Sequence, residues 1–242
     1  MKTTFITPLL VCSLSICASA ATIVVDNTVD PGDGICGSPG CTLREAITAA
    51  NTNPGADIIN FNIPGGGVQT ITPTSNLPNI TDPVTIDGYT QPGASENTLA
   101  IGNDAVLLIE LNGGNSVTTP SIQVSDCTIR GLVINRFITT GILVGNVANE
   151  ISNTLIEGNF IGTNAAGTTD LGNAGYGVIL NNASNNVVGG TTPAARNLIS
   201  GNGLTGVYMI TGTGNVVAGN YIGTNADKRI GLYEEDPEPF DQ

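Results

Sequence analysis

Histidine and tryptophan are absent from this sequence of 242 residues, and aromatic residues make up only 4% of it. Without His, the commonest general base and a common metal ligand are missing. Basic residues are scarce: 7 Lys and Arg against 20 Asp and Glu, a formal net charge of −13. That balance argues against nucleic acid or an anionic membrane as partner, since both need a basic face. No nucleotide-binding loop, zinc spacing or Asp-x-Asp pair occurs, so the sequence points to no cofactor. Ca²⁺ would need clustered carboxylates, and the acids are thinly spread. After the first twenty residues no apolar run reaches eighteen, so no transmembrane segment is expected.

What is present is Gly, at 32 the commonest residue, with Thr and Asn each at about 30. These types favour turns and strands over helix interiors. At 40% hydrophobic the chain can fill a core, which argues against disorder. Residues 1–20 read as a secretory signal: Lys2, an apolar run from Phe5 to Cys17, and Ala18-Ser19-Ala20 as cleavage site. Export, to the medium, periplasm or cell surface, follows. Of five cysteines, Cys12 and Cys17 leave with that segment. Cys36 and Cys41 flank a turn-rich loop, CGSPGC, and in an exported protein a disulfide between them is expected. Cys127 reads as a small buried apolar residue.

The mature chain opens with an expected strand, Ala21–Asp26. Thr42 and Glu45 then form a T-x-x-E capping box. Leu43, Ala46, Ile47 and Ala50 make one apolar helical face, and Asn51–Gly55 ends the helix. Residues 21–56 are therefore a cap. From 57 to 226 short β-rich runs alternate with Gly, Asn, Pro and Thr turns. Runs include Ile58–Ile63, Val84–Ile86, Val106–Leu111, Thr128–Ile134, Gly141–Val144, Gly177–Leu180 and Gly206–Ile210. Asn153–Asn159, Asn197–Asn202 and Asn215–Asn220 share one frame ending in Gly-Asn, and EGNFIGTNAAG (Glu157–Gly167) returns as AGNYIGTNADK (Ala218–Lys228). Repetition at this period predicts a solenoid. Short parallel strands with β-branched residues inward and Gly-Asn at the corners fit best. Asn159, Asn202 and Asn220 are expected to stack as a corner ladder.

Together CTLREAITAAN (Cys41–Asn51), ITDPVTIDGYTQPGA (Ile80–Ala94), IRGLVINRF (Ile129–Phe137) and EGNFIGTNAAGTTDLGN (Glu157–Asn173) resemble secreted bacterial proteins that carry the CSLREA motif. The resemblance spans roughly residues 21–226. It implies a right-handed parallel β-helix of the pectin-lyase-like type, all-β with a short N-terminal capping helix, and carries no established activity. After Asn225-Ala226 the repeat gives way to DKRIGLYEEDPEPFDQ. Residues 227–242 are thus an acidic tail, read either as a solubilising end cap or as a truncated repeat.

Enzymes on that fold often cleave acidic polysaccharides, with Arg or Lys as base in lyases and paired acids in hydrolases. Arg44 falls on the cap helix; Arg130, Arg136 and Arg196 remain among the coils. Arg130 and Arg136 flank one run and are placed to share a face, or to cover apolar rungs and pair with Asp126 and Glu157. Asp87 reads as a turn residue before Gly88. No catalytic, cofactor or metal residue is singled out. The leading expectation is a non-catalytic exported module that binds glycans or another surface; the alternative is a polysaccharide lyase or glycoside hydrolase.

Overall fold

Nearly every strand of the chain has a parallel partner one coil away, which is the consequence of short apolar runs recurring at near-constant spacing. The computed structural model describes residues 19–37, 40–145 and 148–226. Residues 1–18 of the expected signal segment and the acidic stretch 227–242 lie outside the described residues. Equivalent positions in successive coils are 27, 32 and 29 residues apart, as at Asp126–Asn153, Thr154–Asn186 and Asn186–Asn215.

Three parallel sheets run along the coils. The first stacks Thr22–Val25, Asp57–Phe61, Val84–Asp87, Thr128–Arg130, Leu155–Glu157, Val187–Gly189 and Val216–Ala218. The second stacks Gln69–Ile71, Ile109–Asn112, Leu132–Asn135, Phe160–Ile161, Leu198–Ile199 and Tyr221–Ile222. The third stacks Ser121–Ile122, Ile142–Val144, Val178–Leu180 and Val207–Met209. Ile151–Ser152 and Ala183–Ser184 form a short pair beside them. This is the expected all-β parallel solenoid with one short helix.

Alternation along each strand sends every second residue inward. Val178 and Leu180 are fully buried while Ile179 between them is half-buried. Like residues therefore stack in columns: Ile134, Ile161, Ile199 and Ile222 occupy one register position in the second sheet.

The run Thr128–Ile134 is not a single strand. Gly131, at φ +71°, turns the chain between Thr128–Arg130 and Leu132–Asn135, and a Cβ there would stand 2.7 Å from the Tyr89 backbone nitrogen. Only Gly accepts both the left-handed backbone and that approach.

The cap forms as its sequence dictates. The helix spans Leu43–Thr52, with Thr42 and Glu45 exchanging both bonds of a capping box and Leu43, Ala46, Ile47 and Ala50 buried. Cys36 and Cys41 are bonded as a disulfide. Glu45 also accepts from the Gly34 backbone N–H at 2.6 Å, so one carboxylate ties the disulfide loop to the helix start.

The coil that follows Asp87 is longer than its neighbours. Residues 88–107 leave the solenoid, form a short 3-10 turn at Gly88–Thr90, and run along its flank before rejoining at Ile109.

Candidate functional site

The first sheet places one charged side chain from each of three successive coils in a single outward column. Asp87 is in register with Arg130, and Arg130 with Glu157. The Arg130 guanidinium lies 3.8 Å from Asp87 Oδ2 and 3.5 Å from Glu157 Oε1, and its Nη2 pairs with Glu96 Oε1. Glu96 arrives from the excursion, as does Tyr89, whose ring lies under the guanidinium at 5.3 Å. The Tyr89 hydroxyl donates to the Gly158 carbonyl at 2.8 Å, closing the cluster from above.

Three carboxylates share one cation, and two consequences follow. Burial, opposed by Arg130 and reinforced by Glu96 and Asp87, raises the Glu157 pKa above its ordinary value. Burial, with Glu96 next, raises that of the Tyr89 phenol. The expectation that Arg130 pairs with Glu157 therefore has its counterpart here, but Asp126 does not join; it accepts from Asn153 Nδ2 at 3.0 Å.

No pair of acids close in sequence signals this convergence. Its signal lies in the repeat itself: Ile86-Asp87-Gly88, Ile129-Arg130-Gly131 and Ile156-Glu157-Gly158 are one motif with the central residue changed. Asp87 keeps its turn role, since Oδ1 accepts from Tyr89 N–H at 3.0 Å, and adds a charge to the column.

Arg130 and Arg136 do not share a face. The corner at Gly131 puts Arg130 in the first sheet, while Arg136 follows the second-sheet strand Leu132–Asn135 at φ +56°. Arg196 holds the excursion to the solenoid: its guanidinium donates to the carbonyls of Leu99, Ala100 and Gly102 at 2.9, 2.9 and 2.7 Å, and to Gly219 at 3.2 Å. It also stands over the Tyr221 ring at 4.6 Å. Arg44 makes a two-pronged pair with Asp30 at 2.7 and 2.9 Å.

The asparagine ladder exists, but as three columns rather than one. Asn159, Asn197 and Asn220 form the column entering the second sheet. Asn202 is not in it; Asn202 accepts from Asn173 Nδ2 at 2.8 Å at the entry to the third sheet. Asn186 and Asn215 make a third column before the first sheet, 3.0 Å apart. The shared frame misled because Asn197–Asn202 spans a second-sheet strand whereas Asn215–Asn220 spans a first-sheet strand. Similar corners produce similar sequence at different places in the coil.

Cys127 is fully buried, and burial pushes its thiol up to about 11, so it is an inert packing residue. Among the described residues no group of three His, Cys, Asp or Glu is arranged to hold a metal ion, and no helix is long and apolar enough to cross a membrane. No protein-family model matches the chain, and no curated protein matches it.

Proposed function

We propose that the protein is an exported, non-catalytic β-solenoid of the CSLREA-motif type, right-handed and pectin-lyase-like, that presents its outer sheets to glycans or another extracellular surface. The observation that carries this reading is the use made of Arg130. Its guanidinium is enclosed by Asp87, Glu96, Glu157 and Tyr89, all from its own chain. A base that abstracts a substrate proton must reach it, and an acidic polymer would meet three carboxylates there. Arg44 and Arg196 are likewise spent on holding the cap and the excursion.

The outer face of the third sheet is the better contact surface. Leu143, Ile179 and Tyr208 form one outward column, and Tyr176 stacks on Tyr208 with ring centroids 4.7 Å apart. Tyr208 is 40% exposed. Stacked tyrosine rings suit the apolar faces of sugars, and their own hydroxyls the polar rims. The test is binding of the mature protein to a glycan array and to intact cells at physiological salt, with Tyr208→Ala alongside. Binding lost in the variant supports the reading; no binding to any saccharide or cell removes its adhesive half.

A polysaccharide-degrading role is favoured by one feature, the raised pKa of Glu157 beside Arg130, since a carboxyl that keeps its proton longer can act as an acid. Reducing-end or unsaturated-product release from pectin, alginate and neutral polymers, with Ca²⁺ present, would reveal it. Release abolished in Arg130→Ala or Glu157→Gln would replace the first reading with the second.

A further inference from the structure

Asp57 opens the strand Asp57–Phe61 and is only 1% exposed, yet its carboxyl group is incompletely partnered. Oδ1 accepts from the Ala21 backbone N–H at 2.7 Å and from Asn53 Nδ2 at 2.7 Å. Oδ2 is buried and has no hydrogen-bond partner. Among the described residues Arg44 pairs with Asp30, and Arg130 with Asp87, Glu96 and Glu157; none pairs with Asp57. A buried carboxylate without a cation is costly. The neighbouring helix adds to that cost. It ends at Thr52 with no basic residue in its last turn, and its C-cap residue is the Asn53 that touches Asp57. The C-terminal end of a helix carries partial negative charge and favours a cation.

Cutting the chain supplies one. Ala18-Ser19-Ala20 reads as a signal-cleavage site, which makes Ala21 the first residue of the mature protein. Hydrolysis of the Ala20–Ala21 bond consumes one water and leaves a carboxylate on Ala20. The Ala21 amide nitrogen becomes an α-amine, which is protonated at neutral pH. That nitrogen already stands 2.7 Å from Asp57 Oδ1. As an ammonium it has three N–H donors in place of one. Its place is also fixed from the other side: Ile58 N–H donates to the Ala21 carbonyl at 2.9 Å, and Thr22 is in register with Ile58. Loss of Ser19 frees Asn53 Nδ2 from the Ser19 carbonyl, at 2.9 Å in the uncut chain, and leaves it to Asp57.

We propose that cleavage after Ala20 completes the fold: the new α-ammonium of Ala21 pairs with the buried Asp57 carboxylate and locks the first strand, Thr22–Val25, onto the sheet. This rests on the reading of the chain as exported. Before the cut, Asp57 is buried with no counter-charge, and the first strand is held by neutral hydrogen bonds alone. After it, the same atoms form a charge-assisted contact. Asn53 holds the carboxylate in place for its partner. The solenoid therefore consolidates its first coil only once residues 1–20 are gone.

The experiment expresses the full chain in a secreting bacterial host and measures the mass of the exported product. Its urea unfolding is then compared with that of the same product acetylated at the α-amine. Acetylation removes the charge but keeps one N–H on the Ala21 nitrogen, as in the uncut chain. Lys228 is the only Lys after residue 20, so a Lys228→Arg background confines acetylation to the terminus. The expected mass is that of residues 21–242, and acetylation is expected to raise the unfolding equilibrium constant about 10- to 100-fold. In Asp57→Asn it is expected to change that constant by less than about 2-fold, because the partner charge is gone. By NMR the α-amine of the free product is expected to titrate above the ordinary α-amino range, and within that range in Asp57→Asn. Acetylation without effect on the unaltered sequence, or with equal effect in Asp57→Asn, overturns the proposal and leaves export standing. An exported product that begins at another residue does the same. A chain that stays in the cell uncut overturns the export reading and this one together. If Asp57→Asn fails to fold, the free and acetylated forms of the unaltered sequence and the α-amine titration still decide.

Discussion

Asn159 and Asn197 stand one coil apart with both side chains fully buried, and the backbone N–H and side-chain amide of Asn159 donate to the same oxygen, Asn197 Oδ1, at 2.9 and 3.1 Å. Asn197 in turn donates from Nδ2 to the Ile156 carbonyl at 2.8 Å and to Asn220 Oδ1 at 2.9 Å. Every polar atom of the Asn197 side chain is engaged, so burial costs little and each coil registers the next. Asn197→Ala would take the partner from the Asn159 backbone N–H and from the Ile156 carbonyl in a dry corner, leaving Asn159 Nδ2 only its bond to the Ile129 carbonyl. A loss of about 2–4 kcal/mol is expected, measured by urea unfolding. Asn197→Asp should be no milder at neutral pH, because it removes both donors and buries a charge.

Arg130 keeps three carboxylates together. Arg130→Met is expected to cost about 1–3 kcal/mol at pH 7, between the values for an exposed and a broken buried pair, because the side chain is 24% exposed. The deficit should shrink as pH falls and the carboxylates protonate. Thermal melts of both proteins from neutral to acid pH check it.

Glu157→Gln is expected to act in the opposite direction. The folded state holds the Glu157 proton more tightly than the unfolded chain, whose carboxyl has the ordinary value of 4.5. Its contribution is therefore fully present below that value and is lost as pH rises through the raised folded pKa. Glu157→Gln should match or exceed the melting temperature of the unaltered protein at pH 7, with the advantage fading towards pH 4.5. A variant less stable at pH 7 than at pH 4.5, relative to the unaltered protein, would contradict this.

Glu45 gives the reverse sign. Burial works against its ionisation, but hydrogen bonds from the backbone N–H groups of Thr42 and Gly34, and from the Thr42 side chain, outweigh it and hold its pKa below 4.5. The stability it supplies is present above 4.5 and lost as pH falls through the lowered folded value. Glu45→Gln should lower the melting temperature at pH 7 and make it less sensitive to acid below pH 4.5.

Arg196 fastens the excursion through three carbonyls between Leu99 and Gly102. Arg196→Lys keeps the charge but has no planar fork to reach them together. Limited proteolysis is expected to cut within residues 98–104 in the variant, while circular dichroism of the solenoid stays unchanged. Equal resistance in both proteins would show that other contacts hold the loop.

The helix and the rungs were legible because their signals are local. A capping box needs only Thr42 and Glu45, and an inward column needs only β-branched residues at alternate positions between glycine corners. The disulfide was legible for the same reason, with Cys36 and Cys41 closing one short loop. The asparagine ladder was legible as a device but not in its membership. Asn202 follows Gly just as Asn159 and Asn220 do, and nothing within six residues says which corner of the coil it occupies.

By itself, then, the sequence determined the kind of architecture: stacked parallel strands, polar corners, and a cap at one end. Tertiary structure alone decided which residues meet. Register depends on the length of each whole coil, and one long excursion after Asp87 shifts every later residue relative to those before it. That is why Asp87, Glu96, Arg130 and Glu157, scattered along the chain, come to surround a single guanidinium.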